Sequence, residues 1–186
     1  ADPLNQYLWE KFGIRMLDAV AIDGLSNAGT ELDLLSYATS DGSSITARLN
    51  DPNNPASRTL FRVARAVDIN PDPPVQNGMI LATSPQSYGE TNFVSLGQSE
   101  DYSFDVTQDI AGPLNVAAWA NNTETGAKVM LVGDSSFITN GLVSNPQGNG
   151  ILFTDGITWL TGFGESVVFS PQGRTDRKST RLNSSH

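Results

Sequence analysis

Residues Val129 to Leu160 constrain the fold more than any other stretch. They read VMLVGDSSFITN, a short loop, then GNGILFTDGITWL. The apolar run Val129-Met130-Leu131-Val132 is too short for a helix and fits a buried central strand. Gly133-Asp134-Ser135-Ser136 follows as a tight turn rich in helix N-cap residues. Asn149 stands in a second cap-like turn before another apolar helix. Two helices launched beside the end of a buried strand predict α/β architecture.

The rest of the chain fills in around that unit. Apolar residues at 4, 7, 8 and 12 have helical spacing, Gly13 suits the end of that helix, and Ile14 to Ile22 reads as a strand. Residues 23–54 are rich in Gly, Ser, Asn and Asp and read mostly as loop, with a short helix or strand near 32–37. Strands are predicted over 59–67, 78–83 and 114–120. Pro71, Pro73 and Pro74 make 70–77 irregular. Residues 86–109 read as an acidic loop. The polar stretch 121–126 has hairpin length, so 114–120 and 128–132 are expected to pair antiparallel. Helices are expected over 137–143 and 151–160, and a last short strand over 167–169.

Residues 176–186 read DRKSTRLNSSH, which matches one translated frame of a common sequencing-library adapter. This segment is expected to be an artefactual, disordered tail outside the fold. Residues 1–175 then form a single α/β domain, expected to be a fragment open at both ends. The only histidine is His186, inside that tail.

Charge and composition narrow the function classes. The formal charge is −9, and the tail carries Arg177, Lys178 and Arg181 against Asp176, a net +2, so residues 1–175 carry −11. An acidic surface repels phosphate backbones and anionic lipid, which argues against a nucleic-acid partner. There is no cysteine, so thiolate metal sites, disulfides and cysteine nucleophiles are excluded within this stretch. The sequence holds no run of about 18 apolar residues of the kind a membrane span needs.

Several motifs have a chemical and a structural reading. Gly133-Asp134-Ser135 at a strand end resembles the nucleophile turn of the Gly-Asp-Ser-Leu lipases and esterases, but that chemistry needs a base to take the serine proton. With no histidine before residue 186, and Ser136 in place of Leu, helix capping by Asp134 or Ser135 is the better account. Gly148-Asn149-Gly150 lacks the Lys and Ser/Thr of a phosphate loop and reads as a turn capped by Asn149. Asp101, Asp105 and Asp109 recur every fourth residue without the calcium-loop pattern and read as a solvated acidic loop. Trp119 and Trp159 are expected in the core. Ser84 to Glu90 follows a strand, where α/β ligand crevices lie, and a surface loop is the better account.

Taken together, VMLVGDSSFITN and GNGILFTDGITWL resemble the C-terminal part of the extracytoplasmic domain of gliding-motility-type (GldG-like) auxiliary components of ABC transporters. Gly133, Asp134, Ser135, Phe137, Asn140, Gly148, Asn149, Trp159 and Leu160 carry the likeness. YLWEKFGIRMLDAVAID (7–23) is similar to a helix, Gly-Ile, strand block of that family. MILATSPQSYGE (79–90) is similar to its Thr-Ser-x-x-Ser-aromatic-x-Glu segment, with Tyr88 at the aromatic position. The resemblance implies a flavodoxin-like or glutamine-amidotransferase-like layered sheet with flanking helices. It implies a full-length protein on the extracytoplasmic face of the cytoplasmic membrane, anchored by flanking helices, with permease and ATPase subunits as partners.

The expectation is therefore a non-catalytic binding or scaffolding domain with no cofactor and no metal. Ser84, Tyr88, Asp134, Ser135, Asn140 and Asn149 are its candidate ligand- or partner-binding residues. A hydrolase-like α/β domain with Ser135 at a Gly-Asp-Ser turn and its base in the missing part of the protein is the alternative. A structural envelope module without ligand is a third.

Overall fold

Asp2 opens the first helix by accepting the amide proton of Leu4 on Oδ1 at 3.0 Å, with Pro3 at the first helical position. Helix α1 runs Pro3–Phe12 and closes on Gly13, whose φ of 65° is the left-handed geometry that suits glycine. Asn5 ties α1 to the following strand in both directions: its Nδ2 donates to the Met16 carbonyl and its Oδ1 accepts from the Met16 amide, each at 2.7 Å. The structure is a computed structural model and describes residues 2–51, 53–98, 103–144 and 146–163. The expected strand at 167–169 and the adapter-like tail lie outside the described residues.

Nine strands follow among the described residues. They are β1 Ile14–Ile22, β2 Asp33–Ala38, β3 Arg58–Arg62, β4 Arg65–Ile69, β5 Gln76–Ala82, β6 Tyr88–Glu90, β7 Ile110–Ala111, β8 Asn115–Asn122 and β9 Ala127–Val132. They form one curled sheet in the order β3-β2-β5-β8-β4-β1-β6-β7, with β9 bonded to β8 off that path. All of these strand pairings are antiparallel.

This overturns the flavodoxin-like or glutamine-amidotransferase-like layering, which is built on parallel strands. Parallel neighbours need a crossover helix between them. Here α1 precedes β1, and α4 (Asn149–Thr161) follows β9. The short α2 (Phe93–Gln98) joins β6 to β7, which pair antiparallel.

The apolar run at 129–132 has a different origin from the one its sequence suggests. Strand β9 is half-buried rather than central, bonded along β8 from Ala117↔Val132 to Asn122↔Ala127. Met130 and Val132 pack against the main core with Leu34, Phe61, Ile80, Val116 and Leu152, while Val129 and Leu131 pack against a second cluster with Phe12, Ile14, Val67 and Ala118. Side chains of both parities meet apolar neighbours, so the run is continuous although the strand is not central.

Expected elements elsewhere shift for local reasons. The single strand foreseen over 59–67 is two, β3 and β4, broken at Val63, whose φ is +55°. The acidic loop foreseen over 86–109 contains β6 and α2. The helix foreseen over 137–143 is a 3-10 turn, Ser135–Ile138, followed by the four-residue α3, Asn140–Val143. Trp119 and Trp159 meet edge to face at 5.8 Å between ring centroids and pack on the main core. Arg48, after a 3-10 turn at Ser40–Ile45, clamps α4 through Asp155 at 3.0 Å from Nε. Among the described residues, no helix is long and apolar enough to cross a membrane.

Candidate functional site

The residues singled out in the sequence fall into two constellations. The first surrounds β3. Asp134 lies in a turn whose extended backbone starts the 3-10 turn at Ser135. Its Oδ1 accepts the Ser136 amide proton at 2.7 Å, and its Oδ2 accepts the Ser136 hydroxyl at 2.8 Å. The same Oδ2 also accepts the Arg62 amide proton at 2.7 Å. The expected cap is present, but one oxygen reaches 72 residues back to β3.

Asn149 does not act as a cap: Gly148 occupies the cap position, and the Asn149 side chain makes no capping bond. Its amide instead brackets Leu60, accepting from the Leu60 nitrogen at 3.0 Å and donating to the Leu60 oxygen at 2.8 Å. A further bond goes to the Phe137 carbonyl at 3.1 Å. Asn149 is completely buried. The Gly148 amide completes the set by donating to the Arg58 carbonyl at 2.6 Å. No side chain fits at 148, because a Cβ there would stand 2.4 Å from Leu49 Cδ2 and 2.8 Å from the Ala56 oxygen.

Along β3 these contacts follow the strand period. Residues 58, 60 and 62 turn their main-chain groups away from β2, and the Arg58 carbonyl, both Leu60 groups and the Arg62 amide are met by Gly148, Asn149 or Asp134. Two of their side chains meet cross-strand neighbours on β2. Arg58 lies over the Tyr37 ring at 3.7 Å, and Arg62 Nε is 3.8 Å from Asp33.

Ser135 and Asn140 are exposed and take no part in that lattice. Ser135 stands at the lip of a cavity of about 290 Å3 lined mainly by Met130, Val132, Phe137, Phe153 and Ile157. Asp134 is the one titratable residue in that lining, and its carboxylate is already spent on Arg62 and Ser136.

The second constellation lies at the end of β5. Ser84 is buried, donating its hydroxyl to Asp23 Oδ1 at 2.7 Å and its amide to Asp23 Oδ2 at 2.8 Å. Asp23 also accepts the amides of Leu25 and Ser26 at 3.0 and 2.9 Å. Next to it, Thr83 and Ser87 share a 2.6 Å hydroxyl contact, and Ser87 donates to the Ser84 carbonyl at 2.7 Å. Tyr88 is buried in β6 and meets Phe104 edge to face at 5.4 Å. Thus Asp134 and Asn149 meet on β3, whereas Ser84 and Tyr88 belong to the closure of β1, β5 and β6.

Asp23 is the residue that sequence reading passed over. Its signal was present: an acidic residue directly at the end of an apolar strand, followed by Gly. Of the three spaced aspartates, Asp101 lies outside the described residues. Asp109 accepts the amides of Asp105 and Thr91 at 2.8 and 3.1 Å. Asp105 accepts from the Thr107 hydroxyl at 2.6 Å, its amide at 2.8 Å and Gln108 Nε2 at 2.7 Å. These bonds, the Thr107 hydroxyl first, hold the Asp105 carboxyl below the usual range. Among the described residues, no group of three or more metal-binding side chains comes together.

No family model matches this chain, and no curated protein does. Among solved structures it is similar to the mmIFT52 N-terminal domain, with a TM-score of 0.56 at 10% identity. The similarity covers 87% of this chain and 59% of that one. At that identity the likeness is one of fold.

Proposed function

We propose that this chain is a non-catalytic binding or scaffolding domain that serves an ABC transport system from the extracytoplasmic face of the cytoplasmic membrane. The observation that carries the non-catalytic half is the state of the signature residues. Asp134 and Asn149 direct their polar atoms to backbone groups of β3 and its neighbours rather than to an open site. Nucleophilic catalysis needs a serine within hydrogen-bond reach of a free base, which is in turn oriented by a third group. Ser135 has an apolar cavity beside it and a carboxylate that already accepts three hydrogen bonds from Ser136 and Arg62.

The transport half rests on the resemblance of residues 7–23, 79–90 and 129–160 to GldG-like components. Permease and ATPase subunits are then the partners. The test is co-expression with the permease and ATPase encoded beside this gene in the source DNA, followed by purification in detergent. Stoichiometric co-purification supports the reading. The absence of transporter genes beside it, or clean separation from their products, overturns it.

The position of Ser135 at the lip of a cavity favours one second reading, a hydrolase whose base is contributed from elsewhere. Hydrolysis of p-nitrophenyl acetate that disappears in Ser135→Ala would replace the first reading with this one.

A further inference from the structure

Strand β3 ends the sheet path, so one of its edges has no neighbouring strand among the described residues. An open edge of that kind templates pairing with another chain. Here four main-chain groups of the edge are met by side chains and a turn rather than by a strand. The Arg58 carbonyl, both main-chain groups of Leu60 and the Arg62 amide are each bonded by Gly148, Asn149 or Asp134. The Asn149 side-chain amide presents a donor and an acceptor to one residue, as a residue of a neighbouring strand would.

We propose that Asp134 and the Gly148–Asn149 turn are an edge guard. They occupy the bonding positions through which β3 would otherwise pair with β3 of a second copy of this chain. A charge device acts in the same direction. In an antiparallel pair of two β3 strands centred on Leu60, Arg58 of each copy opposes Arg62 of the other, and like charges directly opposite are unfavourable. This inference stands on the β3 contacts alone and is independent of the transport reading.

Site-resolved hydrogen exchange and sedimentation of the full chain test it. In Asn149→Ala the Leu60 amide exchanges at least tenfold faster while Arg62 stays within threefold of the parent. In Asp134→Ala the two amides exchange roles. The combined variant Asp134→Ala/Asn149→Ala/Arg62→Gln sediments as a dimer at concentrations where Arg62→Gln alone keeps the parent's sedimentation coefficient. If the triple variant does not fold, Asn149→Ala/Arg62→Gln takes its place. A folded combined variant with the parent's sedimentation coefficient overturns the proposal. So does slow exchange at Leu60 in Asn149→Ala, or dimerisation of Arg62→Gln with the guard intact.

Discussion

Ser84 gives both its hydroxyl and its amide proton to the carboxylate of Asp23, 61 residues away, at 2.7 and 2.8 Å. With the Leu25 and Ser26 amides added, this buried carboxylate accepts four hydrogen bonds. It joins the end of β1 to the end of β5, which are not neighbours in the sheet. Ser84→Ala keeps the amide bond and loses the hydroxyl bond, and a hydrogen bond to a charged group is worth about 1.5–3 kcal/mol. Urea unfolding should show a loss of that size. Asp23→Ala should lose more, since it strands several buried donors at once.

Asn149 and Asn140 belong to the same signature but differ in environment. Asn149→Ala leaves the two main-chain groups of Leu60 and the Phe137 carbonyl without their partner in a buried site. Unsatisfied buried groups cost about 1–3 kcal/mol each, and partial relaxation sets the expected loss at about 3 kcal/mol. Asn140 is exposed, and Asn140→Ala should change stability by less than about 0.5 kcal/mol. Parallel denaturant melts of the two variants make the comparison. Equal losses would show that Asn149 does not hold β3.

Val63 is a β-branched residue at φ +55°, and about half of its surface is exposed. Left-handed backbone costs an L-residue roughly 1–2 kcal/mol, which glycine avoids. Val63→Gly should therefore raise stability by up to about 1 kcal/mol after the extra unfolded-chain entropy is deducted. Thermal melting reads this directly. A lower Tm would show that the Val63 side chain contributes packing beyond its partial burial.

Gly133 passes so close to β4 that a Cβ on it would stand 2.1 Å from the Arg65 carbonyl oxygen. The Gly133 amide donates to the Val116 carbonyl at 2.8 Å, and its carbonyl accepts from the Arg65 amide at 2.9 Å. Backbone lies on both sides, so neither neighbour can yield as a flexible side chain would. Gly133→Ala should destabilise by roughly 3 kcal/mol or more. Gly156→Ala meets the flexible Met130 Sδ at 2.7 Å instead and should cost less. Chemical denaturation should rank the two in that order.

The ionised Asp105 carboxylate is held by Thr107 and Gln108, so its pKa in the folded protein lies below the unfolded value of about 3.9. A depressed carboxylate stabilises the fold above the unfolded pKa, and that share is lost as pH falls through the folded pKa. Carboxyl NMR titration should find Asp105 titrating lower than an unperturbed aspartate. Thr107→Val should move it upward by removing the hydroxyl bond.

Local geometry was legible in the sequence, whereas the partnership of the strands was not. The spacing of Leu4, Leu8 and Phe12 and the stop at Gly13 mark α1 and β1 closely, because caps and periodicity are short-range causes. The hairpin joining β8 and β9 is legible for the same reason. The run Val129–Val132 misled because a half-buried strand with apolar neighbours on both faces has the composition of a central one. Asp134 and Asn149 could be read as turn residues, but their partners Arg62 and Leu60 are 72 and 89 residues away. No local pattern encodes such a pairing.

Strand β8 bonds to β4, β5 and β9, and it is the eighth of the nine strands among the described residues. Among the described residues, seven strands leave the ribosome before the one that joins the two halves of their sheet. Until Asn115–Asn122 emerges, the growing chain holds partial sheets with exposed edges, the condition in which nascent chains depend on chaperones. The residues that close β3 come later still, so β3 meets those partners only after β8 has emerged.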